Sequence, residues 1–535
     1  MNPEEILERE FGVITELIHQ HAREQPSRPA LVEGSQVLDY AALDALMDRI
    51  AFALQRDGLK PGDAIAICAS MSIAYAAVFL GALRAGVVVA PLAPGSTAAS
   101  LVRMIQDAQA RVLFVDAAAS DALGLDHAGG ISRITLDNSR AGRMLEEWLP
   151  PPGARPAAVA IEPAWAFNII YSSGTTGEPK GIVQPHGMRW SHVRRGKTYG
   201  YGTDTITLLS TPLYSNTTLV VFFPTLTFGG TVVLMPKFNA QAYLELAQAQ
   251  HVTHTMLVPV QYQRLMARPD FDSYDLSSFR VKFSTSAPFG AALKADVLKR
   301  WPGALVEFYG MTEGGGTCIL DAHLHPDKLH TVGLPAEGHD IRLIDDAGHQ
   351  VARGEAGEVV GHSAGMMSGY HGQPGKTREA EWFDPEGKRF IRTGDIGRFD
   401  SDGFLILFDR KKDMIISGGF NIYPSDLEAI LREHPAVDDA AVVGVPSAEW
   451  GETPVAFVVR KEGSDTLDPD SGTSTLDPDS GTGAAAETLM QWVNQRVGRT
   501  QRLASVRFVE ELPRSPIGKV LKRELRDRYT ADADD

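Results

Sequence analysis

The segment Ile169–Gly181 reads IIYSSGTTGEPKG: an apolar strand end, then Ser172, Ser173, Gly174, Thr175, Thr176 and Gly177, then Lys180. Glycines let a backbone approach a ligand closely and present N–H groups to it. The hydroxyls add donors and the lysine adds charge, so the set suits phosphate oxygens. The spacing is not that of a Walker A loop, G-x-x-x-x-G-K-[ST]. From composition alone a plain surface loop remains an open reading. Four further segments carry glycine pairs, carboxylates and lysines: FYGMTEGG (Phe308–Gly315), RTGDIGRFDSDGFL (Arg392–Leu405), DRKKDMIISGGFNIYPSDLE (Asp409–Glu428) and PRSPIGKVLKREL (Pro513–Leu525).

The elements that position these segments alternate. Ala64–Leu83 is a stretch of twenty residues without a charge. It is long enough to cross a bilayer of about 30 Å. Its serines and alanines read better as a strand (AIAICAS) and a helix ending near Gly86, followed by the strand VVVAPL. RVLFV (111–115) and Thr255–Val260 read as strands and Asn239–Ala249 as a helix, the pattern of an α/β fold. From Val359 to Asp409 short β-like runs and Gly/Asp turns dominate. After Asp409 helix and strand alternate again. The expected architecture is a large N-terminal domain of α/β layers with a β-rich subdomain (1–409) and a small mobile α+β C-terminal domain (410–535). A nine-residue repeat, TLDPDSGTS then TLDPDSGTG (466–483), reads as a duplicated surface loop without chemistry.

The chain has 535 residues, net charge −16 and two cysteines, Cys68 and Cys318. Two thiols build neither a disulfide framework nor a four-thiolate zinc site. The acidic total argues against general nucleic-acid binding. The acidic N-terminus and the TADADD ending carry no recognisable address, which points to the cytoplasm and to no membrane span. Between Thr488 and Arg528, however, ten basic residues face four acidic ones. A local positive patch on an acidic body attracts small polyanions.

Taken together, in this order and at this spacing, the motifs resemble the adenylate-forming superfamily: acyl-CoA synthetases, peptide-synthetase adenylation domains and firefly-type luciferases. The resemblance runs from about residue 10 to 528. It implies that Mg·ATP and a small carboxylic acid give an acyl-adenylate and pyrophosphate, after which coenzyme A takes the acyl group and AMP leaves. It implies that Ser172–Thr176 and Lys180 hold the β,γ-phosphates, Thr312 the α-phosphate and Glu313 the Mg²⁺. Tyr309 is expected to stack on adenine, with Ser286, Ala287, Glu307, Phe308 and Gly310 around it. Asp395 and Arg410 are implied as ribose contacts and Lys412 as the hinge. Lys519 is implied as the adenylation lysine, exchanged on rotation for the Ser417-Gly418-Gly419 loop, with Asn421 near the phosphates.

The sequence departs from the family at Pro212–Ser215, where Ser215 replaces a common histidine thought to gate the acyl site. No Asp lies within Leu213–Val221 to pair with an α-ammonium, which argues against amino-acid substrates. Trp190, Tyr214, Ser215, Thr218, Gly314 and Gly315 are the expected acyl-pocket residues. They suit an aryl acid or a short to medium acyl chain. The expected activity is that of an AMP-forming acid–CoA ligase, monomeric or homodimeric. The alternative is a stand-alone adenylation enzyme that loads a carrier protein, and a non-catalytic nucleotide binder is a third reading.

Overall fold

The computed structural model describes residues 2–124, 130–137, 139–172, 179–417, 420–447, 450–461, 478–515 and 518–534. They form two compact units: 1–341 with 360–392, and 342–359 with 393–535.

In the first unit, the charge-free stretch divides into the strand Ala64–Cys68 and the helix Ile73–Arg84. The Ser72 hydroxyl caps that helix by accepting the Tyr75 N–H at 3.1 Å. The strand is parallel to Val88–Leu92 and Ala110–Val115. Its continuous apolar run, without alternation, follows from burial on both faces. Among the described residues no helix is long and apolar enough to cross a membrane. Helices Ile73–Arg84 and Tyr40–Arg56 touch at Gly81, where a Cβ would lie 2.6 Å from Ile50 Cβ. Arg84 then reaches Asp44 at 2.5 Å and Asp48 at 2.7 Å, with all three side chains nearly buried. Arg84→Met leaves these carboxylates without that cation and is expected to destabilise this unit by about 3 kcal/mol. Denaturant unfolding checks it.

Among the described residues two sheets lie wholly within this unit. The eight-stranded one centres on Ala166–Ser172, Val88–Leu92, Ala64–Cys68 and Ala110–Val115. In the nine-stranded one, parallel strands run in the spatial order Ala304–Tyr309, Val281–Ser284, His254–Leu257, Ile206–Leu209, Thr231–Leu234, Pro29–Glu33. Sequence order reverses at Ile206–Leu209: the next strand lies on one side and the one after it on the other. Open parallel sheets bind ligands outside the carboxyl ends of strands at such a switch point. Motifs lie at the carboxyl ends of strands on one side of it: Pro212–Ser215 follows Leu209, Thr285–Ala287 follows Ser284, and Gly310–Glu313 follows Tyr309. The expected strand at 255–260 ends at Leu257, because Pro259 opens the helix Pro259–Met266 as a first-turn proline.

The second unit holds a sheet of Phe420–Ile422, Ile415–Ser417, Gly451–Arg460 and Val437–Ser447, with Ser505–Phe508 alongside Gly451–Arg460. Helices Pro424–Glu433, Pro478–Asn494 and Lys522–Asp534 accompany it. The layered α/β architecture and the α+β C-terminal part expected from the sequence are both present. The repeat is a partial exception. Its 466–477 portion lies outside the described residues, but 478–483 opens the helix Pro478–Asn494 rather than continuing a loop. Proline tolerates a first helical turn. The basic segment is also less open than its count suggests. Arg514 pairs with Asp439, Lys522 with Glu428 and Asp409, Arg526 with Asp413 and Arg523 with Asp527.

Candidate functional site

Ser172 ends the strand Ala166–Ser172 and Lys180 begins the antiparallel strand Lys180–Pro185, and the two face each other in register. Both ends of the hydroxyl-rich loop are thereby pinned together. Ser173, Gly174, Thr175 and Thr176 lie outside the described residues. Lys180 Nζ stands 5.1 Å from the Tyr370 ring centre, and the Tyr370 hydroxyl donates to Glu313 Oε1 at 2.8 Å. Burial, with Glu313 beside it, pushes the Tyr370 phenol far up, so it remains a donor. Oε2 takes no hydrogen bond from any described residue. The Met367 N–H bonds the Glu313 carbonyl at 2.8 Å. Gly314 follows at φ +76°, where a Cβ would stand 2.0 Å from the Gly365 carbonyl oxygen, and Gly315 at φ +88° faces that of Gly361 at 2.8 Å. These glycines are required by backbone contact and bring the 360–370 segment against Glu313. Tyr370 was not singled out in the sequence; no local pattern marks it. Tyr370→Phe frees Glu313 and is expected to lower kcat/KM for ATP about tenfold, the effect of one hydrogen bond to a charged group. Steady-state pyrophosphate release at several ATP concentrations checks it.

Opposite this, Ser286 has φ +82°, a left-handed backbone rare outside glycine. Its hydroxyl is 2.6 Å from that of Thr217, and the Thr285 hydroxyl donates to the Phe308 carbonyl at 2.8 Å. Strain held by neighbouring contacts is common at ligand sites. Ala287 follows, partly exposed, as are Tyr309 and Thr312, while Gly310 is exposed. Glu307 differs from its neighbours. Its side chain is buried and pairs with Lys294, whose ammonium also donates to the carbonyls of Leu329 and Thr331. Burial raises the Glu307 carboxyl against the pull of Lys294. Only its backbone is open to a nucleotide. The Phe308 ring stacks on Phe283 at 5.5 Å and meets Tyr199 edge-on at 5.8 Å.

The acyl-pocket residues divide. Tyr214 is partly exposed. Ser215 caps the helix Asn216–Thr227 by accepting the Thr217 N–H at 3.3 Å. Thr218 is fully buried, its hydroxyl bonded to Thr211 and to the Pro212 carbonyl. The polar run therefore holds the turn together. Trp190 is 2% exposed; its ring lies against Gly12 and Phe11, and its N–H donates to the Arg9 carbonyl at 3.3 Å. One residue before it, Arg189 is 1% exposed. It donates to Asn168 Oδ1 twice at 3.1 Å, to Asn216 Oδ1 at 2.7 Å and to Gln184 Oε1. Gln184 in turn donates to the Thr312 carbonyl at 2.7 Å. Among the described residues no carboxylate pairs with Arg189, and burial lowers its guanidinium to about 9. This network ties the switch-point helix to Thr312. Its sequence signal was a lone arginine among apolar neighbours in HGMRWSHV.

The second unit carries the remaining residues. Asp395 and Arg410 face each other across antiparallel strands, Arg410 Nε 3.3 Å from Asp395 Oδ1. Two residues on, Lys412 is exposed, with its ammonium pulled below the usual range by desolvation. Asp409 accepts N–H groups from Arg410 and Ser425 and pairs with Lys522; Asp413 pairs with Arg526. Ser417 is buried at the end of Ile415–Ser417. Gly418 and Gly419 lie outside the described residues, and Asn421 is described in its backbone, facing Ile416. Lys519 is exposed on a turn closed by Ser515, whose N–H bonds the Lys519 carbonyl at 2.8 Å and whose hydroxyl accepts the Lys519 N–H at 3.1 Å. Among the described residues no group of three or more His, Cys, Asp or Glu forms a metal cage.

A doubly wound unit with these polar groups gathered at its switch point is a nucleotide-dependent α/β enzyme. The family described as AMP-binding enzyme matches residues 18–371, and its C-terminal domain matches residues 426–519. A feruloyl-CoA synthase from Amycolatopsis sp is 33% identical, over 95% of this chain and 98% of its own length. An indoleacetate–CoA ligase from Aromatoleum aromaticum is 32% identical, over 96% and 97%. ATP-bound MatB from Rhodopseudomonas palustris shares the fold with a TM-score of 0.81 and 28% identity, over 96% and 99%. The chain belongs to the AMP-binding enzyme family, among the acyl-CoA synthetases of the adenylate-forming superfamily.

Proposed function

We propose that this chain is an AMP-forming acid–CoA ligase acting on aryl acids. The supporting observation is the closed mouth Ser172–Lys180, which sets the lysine ammonium beside Tyr370 and the Glu313 carboxylate. Names of the relatives, feruloyl-CoA synthase and indoleacetate–CoA ligase, support an aryl acid, as do Phe283, Phe308 and Tyr199 beside the crevice.

A substrate carboxylate oxygen attacks the α-phosphorus of ATP; the bond to the bridging oxygen breaks and pyrophosphate leaves. Lys180 and the loop hydroxyls bind the departing phosphates. Thr312, its carbonyl fixed by Gln184, presents its hydroxyl to the α-phosphate. Glu313 Oε2 is a hard ligand suited to Mg²⁺, which favours one or two carboxylates plus phosphate oxygens and would offset charge on the phosphates. Asp395 and Arg410 hold the ribose and Tyr309 covers adenine. In the second half, the thiol sulfur of CoA attacks the acyl carbon and AMP leaves. Lys519 serves the first half, and Ser417 with the glycines after it serves the second. Lys412 is the pivot between them, at the 409/410 boundary. The reaction runs in the cytoplasm with the protein as a monomer or homodimer. A carrier protein as acceptor is the second reading; a fatty acid–[acyl-carrier-protein] ligase from Streptomyces coeruleorubidus is 29% identical.

Pyrophosphate release over benzoates, cinnamates, arylacetates and fatty acids, with and without CoA, tests the activity; background rates with every acid would overturn it. Lys519→Ala is expected to lower adenylation by about 100-fold or more, as loss of a charge-stabilising group does, yet to spare thioester formation from synthetic acyl-adenylate. Equal loss in both half-reactions would count against two conformations. Lys412→Pro is expected to slow the thioester half more than adenylation, compared in single-turnover assays.

A further inference from the structure

The helix His186–Arg195 places Arg189, His192 and Arg195 three residues apart, on one face. Its last member differs from the first. Arg189 is fully buried with amide oxygens around it, whereas Arg195 keeps part of its surface accessible and lies in an enclosed wall with Tyr199 and His339. Among the described residues no carboxylate pairs with Arg195. What it meets is the His339 ring: Nη2 lies 3.3 Å from Nε2. The other ring nitrogen, Nδ1, accepts the Thr317 N–H at 2.9 Å. That bond needs a lone pair on Nδ1, so the neutral ring carries its proton on Nε2. Burial and the neighbouring Arg195 keep the ring neutral, lowering it to about 4. Nε2–H and Nη2–H are then two donors side by side, 3.3 Å apart, and neither can accept from the other. His192 adds a ring beside them whose Nδ1 has no partner among the described residues.

The place lies beside the glycine-rich segment that holds Gly314 and Gly315, two of the expected acyl-pocket residues. Thr317 follows Gly316, and a Cβ on Gly310, next to Tyr309, would lie 3.4 Å from the Thr317 hydroxyl. The aromatic row Phe283, Phe308, Tyr199 runs beside it, Tyr199 meeting Phe283 at 5.1 Å. We propose that Arg195 and His339 form a subsite at the far end of the acyl pocket for a second carboxylate, so that the acid activated is a dicarboxylic acid, one carboxylate converted and the other held. This deepens the acid–CoA ligase reading and rests on it. A carboxylate offers acceptor oxygens to both donors and neutralises a guanidinium that pairs with no carboxylate among the described residues. A phenol or ether oxygen would satisfy the donors and leave the charge.

The test compares matched acids in pyrophosphate release: 4-carboxycinnamate against cinnamate, and adipate against hexanoate. The ratio of kcat/KM within a pair does not depend on how much of a preparation is folded. At least one dicarboxylate is expected to be preferred by about tenfold or more, the scale of a charge-assisted bond. Arg195→Met is expected to remove that preference and His339→Phe to weaken it. Arg194→Met, changing the exposed neighbour, is expected to keep it. A mono-acid preferred in both pairs by the parent enzyme, or a ratio unmoved by Arg195→Met, overturns the subsite while leaving the ligase reading intact. No pyrophosphate release with any acid overturns the ligase reading, and this inference with it.

Discussion

The first unit is organised around one buried guanidinium. Arg189 is held by the side-chain oxygens of Asn168, Gln184 and Asn216, which come from adjacent strands of one sheet and from the helix lying on the other. Desolvating an arginine costs several kcal/mol unless its hydrogens are bonded. Neutral amides bond them without cancelling the charge. The positive field therefore persists in a low-dielectric interior, one hydrogen-bonded residue from the Thr312 carbonyl. An aspartate at 168 or 216 would bind more strongly and quench that field. Amide ligands make sense where negative charge must later gather, because fixed dipoles and charges cost no reorganisation when the reaction occurs.

The second unit solves a different problem, that of holding a short segment at both ends. Asp409 is fixed by backbone N–H groups and by Lys522, and Asp413 by Arg526, so both anchors come from the C-terminal helix. Burial raises the Asp409 carboxyl even against the attraction of Lys522. Lys411 bonds the Gly394 carbonyl through its N–H and reaches Glu358 with its ammonium. Of the cations in this segment, Lys412 is the one whose surroundings disfavour its charge. A residue so placed, between fixed neighbours, can change its backbone angles without dragging an ion pair apart. That is what the proposed hinge role would require of it.

Local patterns were legible because their causes are local. The Ala64–Cys68 and Ile73–Arg84 boundaries follow from hydrophobic runs, a serine cap and a turn glycine, and the Asn239 cap marks the helix after it. At 255–260 apolar continuity overrode the proline, although Pro259 is itself a helix-start signal. Non-local contacts were hidden. Arg189 and Asn168 are 21 positions apart, Gln184 and Thr312 are 128 apart, and nothing in the spacing joins them. Glu307 shows another hidden contact: its motif position gives no sign that its side chain turns inward to Lys294. The hydroxyls of Ser215 and Thr218 likewise bond within their own turn, which their spacing does not reveal.

The two arginines at either end of the His186–Arg195 face bring these points together. They lie on one helix among the same aromatic and glycine-rich segments, yet their hydrogens are satisfied differently. At Arg189 the protein provides the acceptors itself, so the cation is closed to ligand and can only act at a distance. At Arg195 the nearest polar atom is a nitrogen that the Thr317 N–H forces into the donor role. A fold that places three amides around one buried guanidinium could have placed one at the other. Leaving two donors convergent has a physical rationale when the acceptor arrives with the substrate. A closed cation then sets the field beside Thr312, and in the proposed subsite an open one meets the second carboxylate.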